Sequence, residues 1–252
     1  YYKALEYVEG RRTLEIGCGE GVGAGLLASK AASLVAVDYS QDALKVAKSQ
    51  HDASSVKFVM MKAPPIDFRD ASFDAVVCFQ MIEHTERPAQ IVDEIRRVLR
   101  NGGVALIATV NKEEAISNNP YHIHEFSSES FRELLERYFE SVETYGVFGD
   151  ELFMRYWKSN RQWVNTFMRF DVFRLSDRLP EAFKRRLFDV ASSLMRASLK
   201  RRDPELCRNI THKNFVFHAG RFAGCLDLFA VCRKTASSSC GKTSDENPAA
   251  VP

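Results

Sequence analysis

No stretch of this sequence approaches the roughly 18 uninterrupted apolar residues of a membrane-spanning helix. The first ten residues, YYKALEYVEG, also lack the charged-then-apolar layout of a signal peptide. Six cysteines (Cys18, Cys78, Cys207, Cys225, Cys232 and Cys240) include no C-x-x-C pair and no Cys/His spacing suited to zinc. They are expected as free thiols of a reducing compartment, which predicts a cytoplasmic location. Neither low complexity nor an excess of charge dominates: 45% of residues are apolar and 27% charged, which argues against a disordered or fibrous chain. A length of 252 residues suits one buried core with an insertion. The chain opens on Tyr1 rather than Met, so a few upstream residues are expected to be missing.

The formal charge of +2 hides an asymmetry. Between Arg155 and Arg221 there are 16 Lys and Arg against 6 Asp and Glu, a local excess of +10, so the remainder carries −8.

Over the first 110 residues, short apolar runs alternate with amphipathic stretches, the pattern of a parallel sheet covered by helices. Strands are predicted at Thr13–Ile16, Leu34–Val37, Val56–Met60, Ala75–Phe79 and Val104–Thr109, nearly continuous apolar runs as in strands buried on both faces. Helices are predicted between them at Gly23–Ser29, Gln41–Gln50 and Pro88–Leu99, the last with proline in its first turn and Asn101-Gly102-Gly103 as its stop. A helix through Phe131, Leu134, Leu135 and Tyr138 follows, then a sixth strand at Val142–Phe148 and a seventh at Leu226–Cys232, with Phe215–Phe217 as a hairpin arm. The fold class predicted is α/β: a doubly wound, mostly parallel seven-stranded sheet with helices on both faces and a helical insertion before the last strand. One helix of that insertion carries Phe183, Leu187, Val190, Ala191, Leu194 and Ala197 on one face. The end of the chain, rich in Ser, Ala and Pro, is expected to be disordered, and its CGKTS run lacks the first glycine of a phosphate loop.

The strand TLEI runs directly into GCGEGVGAG. Glycines there let the backbone turn sharply and let a ligand approach the main chain. Asp38, about 20 residues on at the end of the second strand, is placed for a carboxylate that accepts hydrogen bonds from ribose hydroxyls. Loop and carboxylate together point to an adenosine cofactor. The dinucleotide pattern G-x-G-x-x-G is met only as Gly19-x-Gly21-x-x-Ala24, in a shifted frame, which disfavours a nicotinamide dehydrogenase.

In contrast, LEIGCGEGVG resembles the signature of Rossmann-like S-adenosylmethionine-dependent methyltransferases, in which an acidic residue opens an E/D-x-G-x-G-x-G pattern. The resemblance continues through MKAPPIDFRDASFDAVVCFQMIEH, RRVLRNGGVALIATVN and NPYHIHEFSSESFRELLERYFESV, and is strongest to the branch with an IEH motif after strand four, found among glycan and small-metabolite methyltransferases. It implies S-adenosyl-L-methionine as cofactor, contacted by Glu15, Gly17, Cys18, Gly19, Gly21, Asp38, Tyr39, Lys62, Ala63 and Gln80. Lys62 departs from the pattern, since that family usually has an adenine-contacting Asp there. The implied organisation is a cofactor-binding core over 1–150, a helical lid on the acceptor side over 151–203, the final strands over 204–233 and a tail over 234–252.

For the chemistry, Glu83 and His84 stand just past strand four, and His122, His124 and Glu125 in the loop past strand five. Both loops lie at the carboxyl ends of strands, where ligands bind in such sheets. The catalytic candidates are His124, Glu83 and His84. His124 is preferred as the proton acceptor for a hydroxyl, because Glu125 and Phe126 follow it into a helix. No metal is expected: small-RNA 3′-end methyltransferases hold a divalent ion with a Glu-x-x-Glu-His run together with further histidines downstream, and here Gln80 replaces the first glutamate. The expected activity is O-methylation of a small-molecule or glycan acceptor. The basic insertion adds an anionic or lipid-linked acceptor and peripheral membrane contact, while no nucleic-acid module is recognisable. A metal-dependent RNA 3′-end enzyme and a non-catalytic S-adenosylmethionine-binding protein are the alternatives.

Overall fold

In a computed structural model, the chain is described over residues 1–52, 55–114, 121–169 and 204–235, together with Val190, Ala197, Ser198 and Arg201. The described residues form one sheet from strands β1 (Arg12–Ile16), β2 (Ser33–Asp38), β3 (Lys57–Met60), β4 (Phe73–Phe79), β5 (Leu99–Val110), β6 (Ser141–Gly149), β7 (Phe215–Ala219) and β8 (Asp227–Arg233). Their order is β3-β2-β1-β4-β5-β8-β6-β7. The first five are parallel, with Leu14 beside Val35 and Thr13 beside Ala75; β8 runs antiparallel between β5 and β6.

The expected seven-stranded, mostly parallel sheet is therefore corrected to an eight-stranded mixed one. The extra strand is the hairpin arm, β7, which pairs antiparallel with the free edge of β6, Gly149 opposite Phe215 and Tyr145 opposite Ala219. Its period-two alternation turns Phe215 and Phe217 onto the core and leaves Val216 and His218 exposed, so burying two aromatic rings favours the pairing. Strand β5 also begins earlier than predicted: Leu99 pairs with Phe73 before a register shift, and Arg12 and Arg100 both reach the Asp74 carboxylate beside it.

Helices cover both faces, as a doubly wound sheet requires. On one face α4 (Pro88–Val98) seats Ile91, Val92, Ile95 and Val98, and α5 (Ser128–Glu136) seats Phe131, Leu134 and Leu135, against Ile16, Val76, Cys78 and Ile107. On the other face α1 (Leu5–Val8), α2 (Ala24–Ala28) and α3 (Gln41–Gln50) contribute Val8, Leu27 and Leu44 to a layer over Ala75, Val77 and Leu106. Ser40 caps α3 by accepting from the Ala43 amide, and Ser127 and Ser130 form a reciprocal capping box on α5.

Strand β6 leads into α6 (Glu151–Arg169), where Phe153 packs on Phe215 with ring centroids 4.6 Å apart and Arg161 pairs with Glu114. The second amphipathic helix expected in the insertion, its Lys184-Arg185-Arg186 run and the 236–252 tail lie outside the described residues, apart from the isolated helical residues Val190 and Ala197. Helix α7 (Pro204–Asn209) precedes β7. Among the described residues, no helix is long and apolar enough to cross a membrane.

Candidate active site

The chain leaves β1 through a loop in which Gly17 (φ +77°), Gly19 (φ +52°) and Gly21 (φ +79°) all take the left-handed conformation that side chains disfavour. A Cβ on Gly17 would fall 2.9 Å from Met81, whereas Gly19 faces open space. Both the Gly17 and Cys18 amides donate to the Val37 carbonyl, and the Gly19 amide donates to Asp38 Oδ2 at 2.8 Å. The other Asp38 oxygen accepts from the Ser40 amide, also at 2.8 Å. Asp38 thus splices the glycine loop to the end of β2, and each carboxylate oxygen retains capacity for a further donor. From the far side His51 donates to the Gly21 carbonyl at 2.8 Å, and its ring would stand 2.7 Å from a Cβ on Gly25. His51 had no motif to announce it.

A cleft of about 830 Å³ opens beside this loop. Of the residues implied by sequence to contact a cofactor, Gly17, Gly19, Asp38, Tyr39, Lys62, Ala63 and Gln80 line it. Glu15, Cys18 and Gly21 do not. Met61, Thr85, Arg87, Tyr121 and Ile123 also line the cleft, contributed by loops without a signature of their own.

Glu15 lies buried behind the loop, where one oxygen accepts from the Tyr1 hydroxyl at 2.8 Å and the other has no hydrogen-bond partner. Burial pushes its carboxyl up to about 7 from an ordinary 4.5, against the pull of the Tyr1 hydrogen bond. Between those values the folded chain holds a proton that the unfolded chain has released. Stability contributed at this site therefore falls as pH rises from about 4.5 to about 7, and stays reduced above that. Glu15→Gln, which mimics the protonated acid, is expected to exceed the parent in stability by about 1–3 kcal/mol at pH 8 and to approach it near pH 4, below the unfolded carboxyl value. Urea unfolding at the two pH values checks this; equal midpoints at both would show that Glu15 folds without a raised carboxyl.

At the mouth of β4 the backbone turns abruptly at Gln80, a non-glycine residue at φ +52°, an uncommon conformation that is often found at functional sites. Its side chain donates to Asp227 at 3.1 Å, and burial raises that carboxyl to about 6. The next turn, Ile82–His84, buries Glu83 completely and turns His84 to the cleft. Glu83 Oε2 accepts from the Thr109 hydroxyl at 3.0 Å; burial raises the carboxyl. The Glu83 carbonyl accepts from the amides of Ile123 and His124, at 2.8 and 3.1 Å, which fastens the loop after β5 onto the turn after β4.

That fastening places His122, rather than His124, next to His84, with ring centroids 4.9 Å apart. Burial, with His84 as a neighbour, holds the His122 imidazole below its ordinary value. His124 is not part of the cleft lining; its ring lies 6.2 Å from that of Phe126. The expected trio is thus divided: His84 is in the cleft wall, Glu83 is buried beside it in the same turn, and His124 does not line the cleft.

Comparison with known proteins agrees with this geometry. Residues 14–107 match the family described as a methyltransferase domain. A probable S-adenosylmethionine-dependent methyltransferase of Mycolicibacterium smegmatis is 37% identical over 154 residues, covering 59% of this chain and 59% of that protein. A ubiquinone biosynthesis O-methyltransferase of Paracidovorax citrulli is 33% identical over 118 residues, covering 43% of this chain and 47% of that protein. The chain thus spans about half the length of such curated relatives. In fold, an S-adenosylmethionine-dependent methyltransferase from Methanosarcina mazei superposes with a TM-score of 0.51 at 19% identity, covering 60% of this chain and 90% of that one. The glycine loop, the Asp38 splice and most of the cleft wall thus fall within residues 14–107, the stretch that matches a methyltransferase domain.

Proposed function

We propose that this chain catalyses S-adenosylmethionine-dependent methyl transfer to an oxygen of a small-molecule or glycan acceptor, as a member of the IEH-motif branch. The observation that carries the proposal is the union of Gly19 and Asp38: a left-handed glycine open to the cleft, its amide held by a carboxylate in the cleft wall. Those residues fit the cofactor. Asp38 suits ribose hydroxyls, the bare backbone at Gly17 and Gly19 suits the methionine end, and Lys62 and Ala63 suit the adenine side. When bound, S-adenosylmethionine supplies an electrophilic methyl group.

The protein's part is to orient the acceptor and exclude competing contacts, since positioning alone can supply several kcal/mol. The acceptor is expected to enter by the wall of His84, Thr85, Tyr121 and Ile123, opposite the glycine loop. An oxygen nucleophile must shed a proton, and the Glu83, His84 and His122 group is the concentration of basic side chains at that wall. The similarity to ubiquinone biosynthesis O-methyltransferases supports oxygen as the nucleophile. The excess of +10 between Arg155 and Arg221 favours an anionic acceptor or one displayed at an anionic surface.

Calorimetry with S-adenosylmethionine, its demethylated product and NAD⁺ tests the cofactor assignment. The first two are expected to bind with one site per chain and the last not at all; tight NAD⁺ binding would falsify it.

A further inference from the structure

We infer that Glu83, His84 and His122 form a binding site for a divalent first-row transition cation, such as Zn²⁺ or Mn²⁺, on the acceptor side of the cleft. The inference deepens the proposed oxygen methylation and rests on it for its catalytic meaning, although not for the existence of the site. The sequence argues against a metal because Gln80 stands where a carboxylate would be needed. In the structure the Gln80 amide nitrogen donates to Asp227, and three other side chains come together without it. The downstream histidine that joins Glu83 and His84 is His122, 38 positions beyond His84.

One ligand atom each from Glu83, His84 and His122 all lie within 4.8 Å of one another. Donors that sit about 2 Å from a common cation are roughly 3–4 Å apart, so side-chain rotations of under about 1 Å close the site. Three independent features prepare it. First, a carbonyl can only accept, so the 2.9 Å contact between His84 Nδ1 and the Tyr121 oxygen puts a proton on Nδ1, which in the neutral ring makes Nε2 the lone-pair nitrogen. Orientation of a ligand histidine through its other nitrogen is the usual second shell of a metal site. Second, Glu83 is fully buried; Thr109 holds one oxygen while Oε1 has no hydrogen-bond partner. A buried carboxylate oxygen left without a partner is costly, and a cation removes that cost. Third, the Ile123 and His124 amides lock the His122 loop to the Glu83 carbonyl, which fixes the distance between ligands from separate loops.

Two imidazole nitrogens and one carboxylate oxygen form a borderline donor set, suited to Zn²⁺, Mn²⁺, Fe²⁺ or Co²⁺ rather than to Mg²⁺ or Ca²⁺, which prefer oxygen throughout. Three protein ligands leave positions open, and His84 carries the site to the cleft surface. With a cation there, these side chains would act as ligands in place of accepting the proton themselves, and the cation would polarise an acceptor oxygen beside it and ease loss of the hydroxyl proton to solvent.

The test is calorimetric titration of EDTA-treated protein with ZnCl₂, MnCl₂ and MgCl₂, with Co²⁺ absorption as a second reading of histidine ligation. One equivalent of Zn²⁺ or Mn²⁺ is expected to bind the parent chain. Glu83→Gln and His122→Ala should each weaken that binding by about tenfold or more. Should Glu83→Gln fail to fold, His122→Ala, in a loop, decides alone. Absence of stoichiometric binding below millimolar concentration, unchanged affinity in His122→Ala, or Mg²⁺ binding as tightly as Zn²⁺ would each overturn the inference. S-adenosylmethionine titrated into the same metal-free samples separates the two proposals: metal binding without cofactor binding sinks the methyl-transfer assignment and leaves the cation site standing.

Discussion

Asp38→Ala is expected to weaken S-adenosylmethionine binding by roughly 10- to 150-fold, the equivalent of about 1.5–3 kcal/mol for hydrogen bonds to a charged group. The carboxylate has two tasks at once. It accepts the Gly19 and Ser40 amides, so its removal leaves both donors unpaired in a nearly buried position and frees the glycine loop from β2. It also presents its remaining acceptor capacity to the cleft, where the cofactor ribose is proposed to lie. A lower melting temperature should therefore accompany the loss of affinity. Asp38→Asn is expected to rescue only part of either, because its amide nitrogen must face one of the two backbone N–H groups and cannot accept from it. Calorimetry and thermal unfolding of the two variants measure both effects. An Asp38→Ala chain that binds the cofactor as tightly as the parent would remove the ribose contact from the proposal.

The second large effect is structural. Arg97→Ala should lower unfolding free energy by about 2–4 kcal/mol, at the upper end of ordinary single substitutions. Arg97, on α4, donates to both oxygens of Glu94, to Asp70, and to the carbonyls of Phe68 and Ile66, all between 2.6 and 2.9 Å. Glu94 in turn accepts from the Ile66 amide at 2.7 Å. The pair clasps the segment that continues from the Met61–Pro64 wall of the cleft into β4. Without the guanidinium, the Phe68 carbonyl and Asp70 lose this donor, the Ile66 carbonyl keeps only the Phe68 amide, and Glu94 loses its counter-charge. Arg97→Lys should recover little, because an ammonium cannot reproduce the planar fork that serves four acceptor groups. Lys45→Ala, which removes an exposed pair with Asp42, provides the contrast and should cost no more than about 0.5 kcal/mol. Urea unfolding of the three variants checks the ranking; an Arg97→Ala chain as stable as Lys45→Ala would mean the segment is held by its apolar contacts alone.

Much of the core was legible because its signals are local. Continuous apolar runs such as Ala75–Phe79 can be satisfied only between two helical layers, and the structure buries Ala75 and Val77 on one face and Val76 and Cys78 on the other. The glycine loop was legible for the same reason. Left-handed backbone at Gly17, Gly19 and Gly21 is a property of those residues themselves, and Asp38 lies at the strand end nearest to them. Edges of elements were less so: β5 starts at Leu99, through residues whose Asn-Gly-Gly composition read as a stop, because pairing with Phe73 outweighs local turn preference.

By itself, the sequence determined the doubly wound core, the glycine loop and the two loops in which chemistry had to be sought, since each follows from periodicity, glycine conformation or strand polarity. Tertiary structure alone decided the eighth strand, which depends on a free edge of β6 meeting Phe215 and Phe217. It alone withdrew Glu15 behind the loop, where Tyr1 covers it, and engaged Gln80 with Asp227, 147 positions away. It also chose His122 over His124. Two histidines separated by one residue look alike in a sequence, and which one meets His84 is set by two backbone amides bound to the carbonyl of Glu83, a contact between loops that no local pattern encodes.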